Sequence, residues 1–447
     1  MDNRNTLIFL ALLLAQPLQA ATVSLEQAVQ AGLKEDNILK EEAERVTGAQ
    51  AGLAAAKLSR FGGLKLKGMY TDGTDPVYAF ATAMKQGTFS MASMASINDP
   101  GPARNYMGGI EAGIPLYTGG SLAGAIKMGG LGVAAAEAGR GRARSGITFK
   151  LVYQWLTVLL RSELARAAAA SEASARKELK TAQMLKDKGM VLGSDYYGAE
   201  AILSTLRGYS LNWDSALKLE KEKLALLLGQ DPSAAPEAAG KLAESDYTEL
   251  PSGSEVRDAR LDIKAMQKMT ELSAVEEKVQ SGSYLPVVEA FGSWETNSES
   301  LSDFRGSRLV GIKLTVLLGD PAYFAKKDAA SARSAMARSR LDEARRRADT
   351  EALEAASGYL AAKESLPVAK ETLEKASQSL ELFRPLYRQG RQSVLEVLRA
   401  EASVLQAEAA YYETLYKLHL YHAQALLAAE LLDENAVAEM SAKLALK

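Results

Sequence analysis

The pattern of hydrophobic and polar residues predicts helices and strands in a definite order along the first half of the chain. Ser24, with Gln27 three residues later, opens an Ala-rich and charge-studded stretch that predicts a capped helix to about Ser59. Residues 64–67 and 107–117 alternate apolar and polar side chains, which predicts two strands. The segment between them is rich in Gly, Asp, Thr, Pro and Asn, and this composition predicts a long loop.

The helical pattern returns at residues 121–228, with one interruption near Gly189. A segment rich in Pro, Ala, Gly and Ser, residues 231–254, predicts a linker. The same order of elements then recurs after the linker. The segments predicted there are a helix at 255–281, strands at 286–294 and 308–316, and helices at 321–383 and 393–432.

Two alignments indicate that this recurrence is a tandem duplication. The apolar positions of the second strand, beginning at Ile110, lie 200 positions before those beginning at Val310. At the helical interruption, Gly189 lies 201 positions before Gly390. Two offsets that agree to one residue predict two structural repeats of helix, strand, strand, helix and helix. The predicted organisation is a signal peptide at 1–20, repeats at 21–230 and 255–432, the linker at 231–254, and a C-terminal tail at 433–447.

The first residues predict export from the cytoplasm. Arg4 precedes an apolar core at residues 7–14, and Ala20 supplies a small residue at the expected cleavage site. This core is too short to cross a bilayer, which needs about 20 apolar residues in a helix. No later segment reaches that length without charge, so any membrane-spanning part would have to be built from strands.

The predicted strands suit such a role only if several chains combine. Each strand has one apolar face and one polar or Gly face, and its length approaches that of a tilted transmembrane strand. Four strands cannot close a barrel, which needs about eight or more, whereas three copies would supply about twelve. Aromatic residues that could mark the membrane boundaries, or could simply pack between strands, are Phe61, Tyr70, Tyr106, Tyr117, Tyr284, Phe291, Trp294 and Phe304.

The long helices predict an extended helical assembly. Residues 121–184 and 321–383 would each form a rod of about 90 Å at 1.5 Å per residue, and each rod is followed by a returning helix. Small residues such as those at 167–170 allow close helix approach, as in the wall of a hollow helical cylinder. The alternative is a solid periplasmic coiled-coil protein without channel activity, which would leave the alternating strands unexplained.

Composition removes several other classes of function. The formal charge of −2 gives no general attraction to nucleic acid, and the absence of Cys excludes thiol chemistry and disulfides. The sequence contains no convincing set of nucleophile, base and metal ligand, so it does not predict an enzyme. It predicts no cofactor site either. His419 and His422 share a helical face and predict a surface or interhelical role rather than a metal site. The thioethers of Met84, Met91 and Met94, like that of Met107, could bind Cu(I) or could pack the first loop.

The chain resembles the TolC-like outer-membrane efflux proteins over nearly all of its predicted mature length. The resemblance rests on the duplicated order and on four motifs. These are PLYTGG at residues 115–120, LKDKG at 185–189, RPLYRQG at 384–390 and SVLEVLRAE at 393–401. It implies an α+β membrane protein: a homotrimer with a 12-stranded outer-membrane β-barrel, four strands per chain, continued by a periplasmic α-helical barrel. It also implies a passive conduit that docks a periplasmic adaptor protein and an inner-membrane pump of the RND or ABC class.

The resemblance also assigns roles to residues of the two helical turns. Asp195 and Glu396 match positions where carboxylates line a constricted pore, although both acids would also favour the N-terminal turn of a helix. Arg399 stands where the family can carry a second carboxylate, and it could pair with Glu396 or with an acid of another copy. The residues assigned to adaptor docking or turn formation are Gly189, Arg384, Leu386, Tyr387, Gly390, Ser393 and Leu395. The transported substrate is not predicted.

Overall fold

The computed structural model describes residues 22–247 and 254–445. The predicted signal peptide lies outside the described residues, as does part of the predicted linker. The chain divides into two compact units. One unit contains the described residues up to Ala43, Ala138–Lys264 and those from Glu343 onward, and the other contains Glu44–Glu137 and Ala265–Asp342.

Most of the described residues are helical. The helices are α1 (Leu25–Glu35), α2 (Asn37–Leu58), α3 (Pro76–Gln86), α4 (Ser121–Asp187), α5 (Gly193–Leu227), α6 (Ser254–Ala259), α7 (Leu261–Ser281), α8 (Tyr323–Arg388), α9 (Val394–Ala428) and α10 (Glu434–Leu444). The strands are β1 (Thr22–Val23), β2 (Gly63–Gly73), β3 (Ala103–Thr118), β4 (Glu237–Ala238), β5 (Val287–Ser298) and β6 (Arg305–Thr315). Within the described residues, no helix combines the length and apolar character required to cross a bilayer.

The predicted helix that begins after Ser24 is present, but it is divided. Ser24 and Gln27 form the expected capping box at the start of α1. At Asp36 the backbone becomes extended, and the Asp36 carboxylate accepts the backbone N–H of Ile38 at 2.7 Å. The break therefore follows from a side chain that caps a second helix, α2, where the sequence pattern had predicted one continuous helix. The helix predicted at 255–281 is likewise divided at Arg260.

The second unit contains a four-stranded antiparallel sheet in the order β2-β3-β5-β6. Ile110 of β3 pairs with Leu66 of β2 on one side and with Trp294 of β5 on the other. The same face continues on β6 with apolar residues such as Val310 and Ile312. The other face carries charged, amide and hydroxyl side chains such as Glu111 and Glu295. Among the described strands, β2 and β6 each have a partner on one side only.

The loop predicted between β2 and β3 contains a helix that the sequence analysis missed. Asp75 accepts the backbone N–H of Tyr78 as the N-cap of α3, Pro76 occupies the first turn, and Gly87 ends the helix with φ of +70°. These are ordinary start and stop residues, so the composition that predicted a loop in fact delimits a short helix.

The main hydrophobic core of the first unit lies among α1, α4, α9 and α10. Trp155 and Leu151 of α4 are almost completely buried there, together with Leu25 and Leu415. The indole Nε1 of Trp155 donates to the carbonyl oxygen of Val23 at 2.9 Å, which satisfies the polar atom of a buried ring. A second cluster around Leu206, Leu398 and Leu405 packs the helices closer to the turns.

The predicted linker and tail are more ordered than their composition indicates. In the linker, β4 pairs in parallel with β1. The predicted tail forms α10, because Asp433 accepts the backbone N–H of Ala436 and because Val437 and Met440 are buried against the core. A short apolar stripe with a capping Asp was therefore the signal for a helix at the end of the chain.

Candidate functional site

The turns at the ends of α4 and α8 have the same backbone geometry. Gly189 and Gly390 have φ of +73° and +71°. At the first turn, the backbone N–H of Gly189 donates to the carbonyl oxygen of Lys186 at 2.8 Å, and the backbone N–H of Met190 donates to that of Leu185 at 2.9 Å. The second turn repeats both hydrogen bonds one for one. This is the Schellman arrangement, which requires a left-handed residue, and the two glycines supply it without steric strain.

The two turns differ in the side chains that they expose. The first turn exposes the apolar residues Met190 and Leu192. Beside them, the ammonium group of Lys186 lies 4.2 Å from the ring centre of Tyr196 and 4.4 Å from that of Tyr197, which is cation–π geometry. The second turn exposes the polar residues 388–391 instead. The first turn therefore presents two apolar side chains beside the charged residues Asp187 and Lys188, whereas the second turn is basic.

Both turns line a groove of about 520 Å³. Asp195 and Met190 line it from the first turn, and Gly390 and Ser393 line it from the second. The groove brings together one predicted gate residue and several of the predicted docking residues. The structure thus places the motifs that are separated by about 200 positions in the sequence side by side.

The predicted gate carboxylates occupy equivalent positions in the first turns of α5 and α9. Ser393 caps α9 by accepting the N–H of Glu396. The Glu396 carboxylate also accepts a hydrogen bond from Arg399 at 2.6 Å, so the pairing within one helix is present. Asp195 is half-buried and, among the described residues, has no ion-pair partner. The two acids are therefore electrostatically different, although their positions correspond.

Arg384 contributes to a buried cluster that the sequence analysis missed. Its guanidinium Nη2 donates to the Ser174 hydroxyl at 2.7 Å and to Glu401 at 2.9 Å. Glu401 is only 6% exposed, and burial raises the pKa of its carboxyl above the usual range despite the neighbouring guanidinium. Glu401 ends the motif at residues 393–401, and the signal for its role is an acid at a helix position flanked by core residues.

The other predicted docking residues also differ in exposure. Gly189 and Gly390 are exposed, and Leu386 and Ser393 are half-buried. Tyr387 is 5% exposed and belongs to the apolar cluster beneath the turns. A Cβ added at Gly198 would lie 3.1 Å from Leu395, which shows that Leu395 packs against α5. Tyr387, Arg384 and Leu395 therefore position the turns, and the exposed backbone at the glycines is what a partner could contact.

The two histidines lie in the core. The Tyr247 hydroxyl donates to Nδ1 of His419 at 2.6 Å, and Nε2 of the same ring donates to the Ala243 carbonyl at 2.9 Å. His422 stacks on the Tyr247 ring with centres 3.7 Å apart. Burial lowers the pKa of both imidazoles to about 4. Among the described residues there is no cluster of three potential metal ligands. The two hydrogen bonds of His419 hold the segment Ala243–Tyr247 against α9.

Glu430 repeats the turn geometry at the end of α9 without a glycine. Its φ is +57°, whereas the corresponding turn after α5 uses Gly229. The Glu430 carboxylate accepts from Arg142 at 3.0 Å and from the backbone N–H of Leu261 at 3.2 Å. Asp262 lies 3.7 Å from the same guanidinium. Glu430 therefore has a strained backbone conformation at a position where its carboxylate connects the end of α9 to α4 and α7.

Comparison with known proteins finds a matching family for part of the chain and solved structures with the same fold. Residues 253–429 match the family model described as outer membrane efflux protein. This part of the chain is therefore similar to the outer membrane efflux proteins. The resemblance stated from the sequence motifs is thereby confirmed. No curated protein matches the chain.

Solved structures of outer-membrane channels share this fold. The Campylobacter jejuni CmeC outer membrane channel superposes with a TM-score of 0.82 at 15% identity, covering 94% of this chain and 89% of that one. VceC, an outer membrane protein of Vibrio cholerae, has a TM-score of 0.76 at 19% identity, covering 90% and 95%. The open state of the Neisseria gonorrhoeae MtrE channel has a TM-score of 0.73 at 16% identity, covering 93% and 92%. At these identities, the likeness establishes the fold of this chain alone.

Proposed function

We propose that this protein is the outer-membrane channel of a tripartite efflux or type I secretion system. It would be a passive conduit, closed at its helical tip and opened when a periplasmic adaptor and an inner-membrane pump dock there. The observation that carries the proposal is the sheet β2-β3-β5-β6, which has one apolar exposed face, one polar face and two edges without a partner among the described strands. The family match and the shared fold support it.

The sheet supports a trimeric barrel because none of the described residues covers its apolar face. Leu66 is 84% exposed on the apolar face, and Val310 and Ile312 are comparably exposed. Lipid is the environment that suits such a face, and pairing β2 of one copy with β6 of the next would satisfy both edges. Three copies would then close a barrel of about twelve strands with the polar face lining an aqueous lumen. In this proposal α4, α5, α8 and α9 form the periplasmic helical barrel.

The unequal surroundings of the two carboxylates support a gate dominated by Asp195. In a trimer, three Asp195 carboxylates would form an acidic ring, which attracts cations in a narrow pore. Glu396 is paired with Arg399 at 2.6 Å, so its ring carries less net charge. We therefore propose that ion preference is set mainly by Asp195.

Single-channel recording in planar bilayers tests this gate. We expect Asp195→Asn to reduce the preference for cations, because it removes the unpaired charge. Glu396→Gln should change the preference less, and Arg399→Ala should increase it by freeing Glu396. Equal effects of the first two variants would contradict the proposed division of roles. Unchanged conductance and selectivity in both would instead assign the two acids to helix capping alone.

The exposed turn at Gly390 supports adaptor docking. A Cβ at this position would meet no atom within 4 Å, so the site is open to a partner. We expect Gly390→Glu to reduce pump-dependent export while trimers still form. Cross-linking at the same position, followed by identification of the captured adaptor, would name the partner.

The proposal as a whole is tested with the purified full-length protein. We expect a detergent-dependent, heat-modifiable trimer that conducts ions in planar bilayers. A water-soluble monomer without conductance would contradict the proposal and would indicate a structural periplasmic protein.

A further inference from the structure

Helix α3 lies on the polar face of the sheet. Lys85 of α3 pairs with Glu295 of β5 at 2.7 Å. The Gln86 amide donates to the carbonyl of Arg104 at 2.7 Å and to the side chain of Asn105 at 3.1 Å. Asn105 in turn donates to Asn297 at 2.8 Å. Because these partners share the face that carries Glu295, the helix is bound to the side of the sheet opposite the exposed leucines and valines.

The segment around α3 has a small core of its own, which fixes its position. The rings of Phe80 and Phe89 meet edge to face with centres 5.2 Å apart. The hydroxyls of Thr71 and Tyr78 are hydrogen-bonded to each other. An apolar cavity of about 140 Å³ lies between the helix and the following segment up to Gly101. The helix is therefore held by side chains on several sides and is not an unanchored loop.

The polarity of α3 is reversed relative to an ordinary surface helix. Thr82 and Gln86 are buried towards the sheet, whereas the opposite side exposes Val77, Phe80 and Met84. Val77 is 76% exposed and Met84 is 57% exposed. An amphipathic helix normally turns its apolar stripe towards the core. Phe80 is 36% exposed and also packs against Phe89 of its own chain. Val77 and Met84 face away from the chain, which indicates that something else covers this side of α3.

A second copy of the chain is the occupant that the geometry favours. This step rests on the proposed function, in which the polar face lines the lumen of a trimer. A helix bound to that face must turn its outer side towards the barrel axis. Each helix is about 10–12 Å across with its side chains, so three of them fill much of such a lumen. We propose that the Val77, Phe80 and Met84 stripes of three copies pack together around the axis and form a partial closure of the outer end of the channel.

The absence of Cys makes this contact directly testable by disulfide cross-linking. In purified trimers of Val77→Cys, we expect a mild oxidant to give covalent dimers that a reductant reverses. Leu66→Cys is the matched control, because Leu66 is equally exposed but lies on the apolar face of the sheet. In a closed barrel its copies would be separated around the outside, so we expect no cross-link.

Conductance provides a second and independent measurement. Met84→Lys would place like charges at the axis, so we expect a larger single-channel conductance and greater entry of large solutes than in wild type. Trimers that conduct but give no Val77→Cys dimer would overturn the closure and leave the proposed channel standing. Protection of Val77→Cys from a soluble maleimide without dimer formation would assign the stripe to another ligand and would also overturn it. A chain that forms no trimer would overturn both proposals.

Discussion

The stability of the helical unit should fall on acidification because of His419. Burial lowers the pKa of this imidazole from 6.5 to about 4. Between these two pH values, His419 is protonated in the unfolded chain but stays neutral in the folded chain. Folding stability is therefore complete above pH 6.5, decreases as the pH falls towards 4, and levels off below that value.

The size of the effect follows from the shift. One such group changes the free energy of unfolding by about 1.4 kcal/mol per pH unit, so acidification from pH 6.5 to 5 removes about 2 kcal/mol. His422 acts with the same sign. The ammonium group of Lys443 lies 4.4 Å from the centre of the Tyr247 ring and opposes protonation of both imidazoles, whereas Glu439 favours protonation of His422. The Tyr359 ring also faces His422.

The variant His419→Gln tests this reasoning. Glutamine can accept from Tyr247 and donate to Ala243, but it does not titrate. We expect the variant to be less stable than wild type at pH 7, and this deficit to shrink by about 2 kcal/mol at pH 5. The assay is urea unfolding in detergent, followed by circular dichroism at both pH values. Tyr247→Phe is the control, since it removes one hydrogen bond and keeps the titrating ring. Parallel pH profiles for wild type and His419→Gln would refute the argument.

Three further sets of substitutions test the turns and the buried charges. Glu430→Gly should destabilise the protein by about 1–2 kcal/mol, because loss of the ion pair with Arg142 outweighs relief of the left-handed backbone strain. Glu430→Ala should cost about 1 kcal/mol more, because alanine keeps the strain. Equal losses of the two variants in urea unfolding would contradict this. Arg384→Ala should cost about 2–3 kcal/mol by leaving Glu401 unpaired, and Glu401→Gln in the same chain should recover part of it in thermal unfolding. Gly390→Ala should cost about 1 kcal/mol and Gly390→Asn less, since only the backbone conformation is at stake; an equal loss for Ala and Asn would point to a side-chain clash.

The sequence predicted the long helices, the strand pairs and the two glycine turns. These features depend on local periodicity and on glycine at positive φ, which a sequence displays directly. Helix α3 was missed because its residues lie in a segment whose composition is that of a loop. The Asp75-Pro76 start and the Gly87 stop were visible, but the apolar stripe between them faces away from the sheet and gave no core pattern.

Roles that depend on tertiary contacts could not be predicted. Arg384 belongs to a turn motif, yet its guanidinium is directed towards Glu401, which a sequence pattern does not reveal. Glu430 occupies a left-handed position that glycine fills at Gly229, so no residue type marked the turn. The fold was therefore accessible from local signals, whereas the electrostatic contacts of individual residues required the packed structure.

The order of strands in the sheet has a consequence for how the protein folds. The pairs β2-β3 and β5-β6 are neighbours in the chain and can form as local hairpins. The central pair β3-β5 joins residues such as Asn105 and Asn297, which are 192 positions apart. The entropy of closing so long a segment must be overcome before this contact stabilises anything, so the step is expected to be slow. Until β5 has been synthesised, one edge of β3 has no partner strand and could pair with another chain. This strand order therefore requires that the edge of β3 be protected during biogenesis.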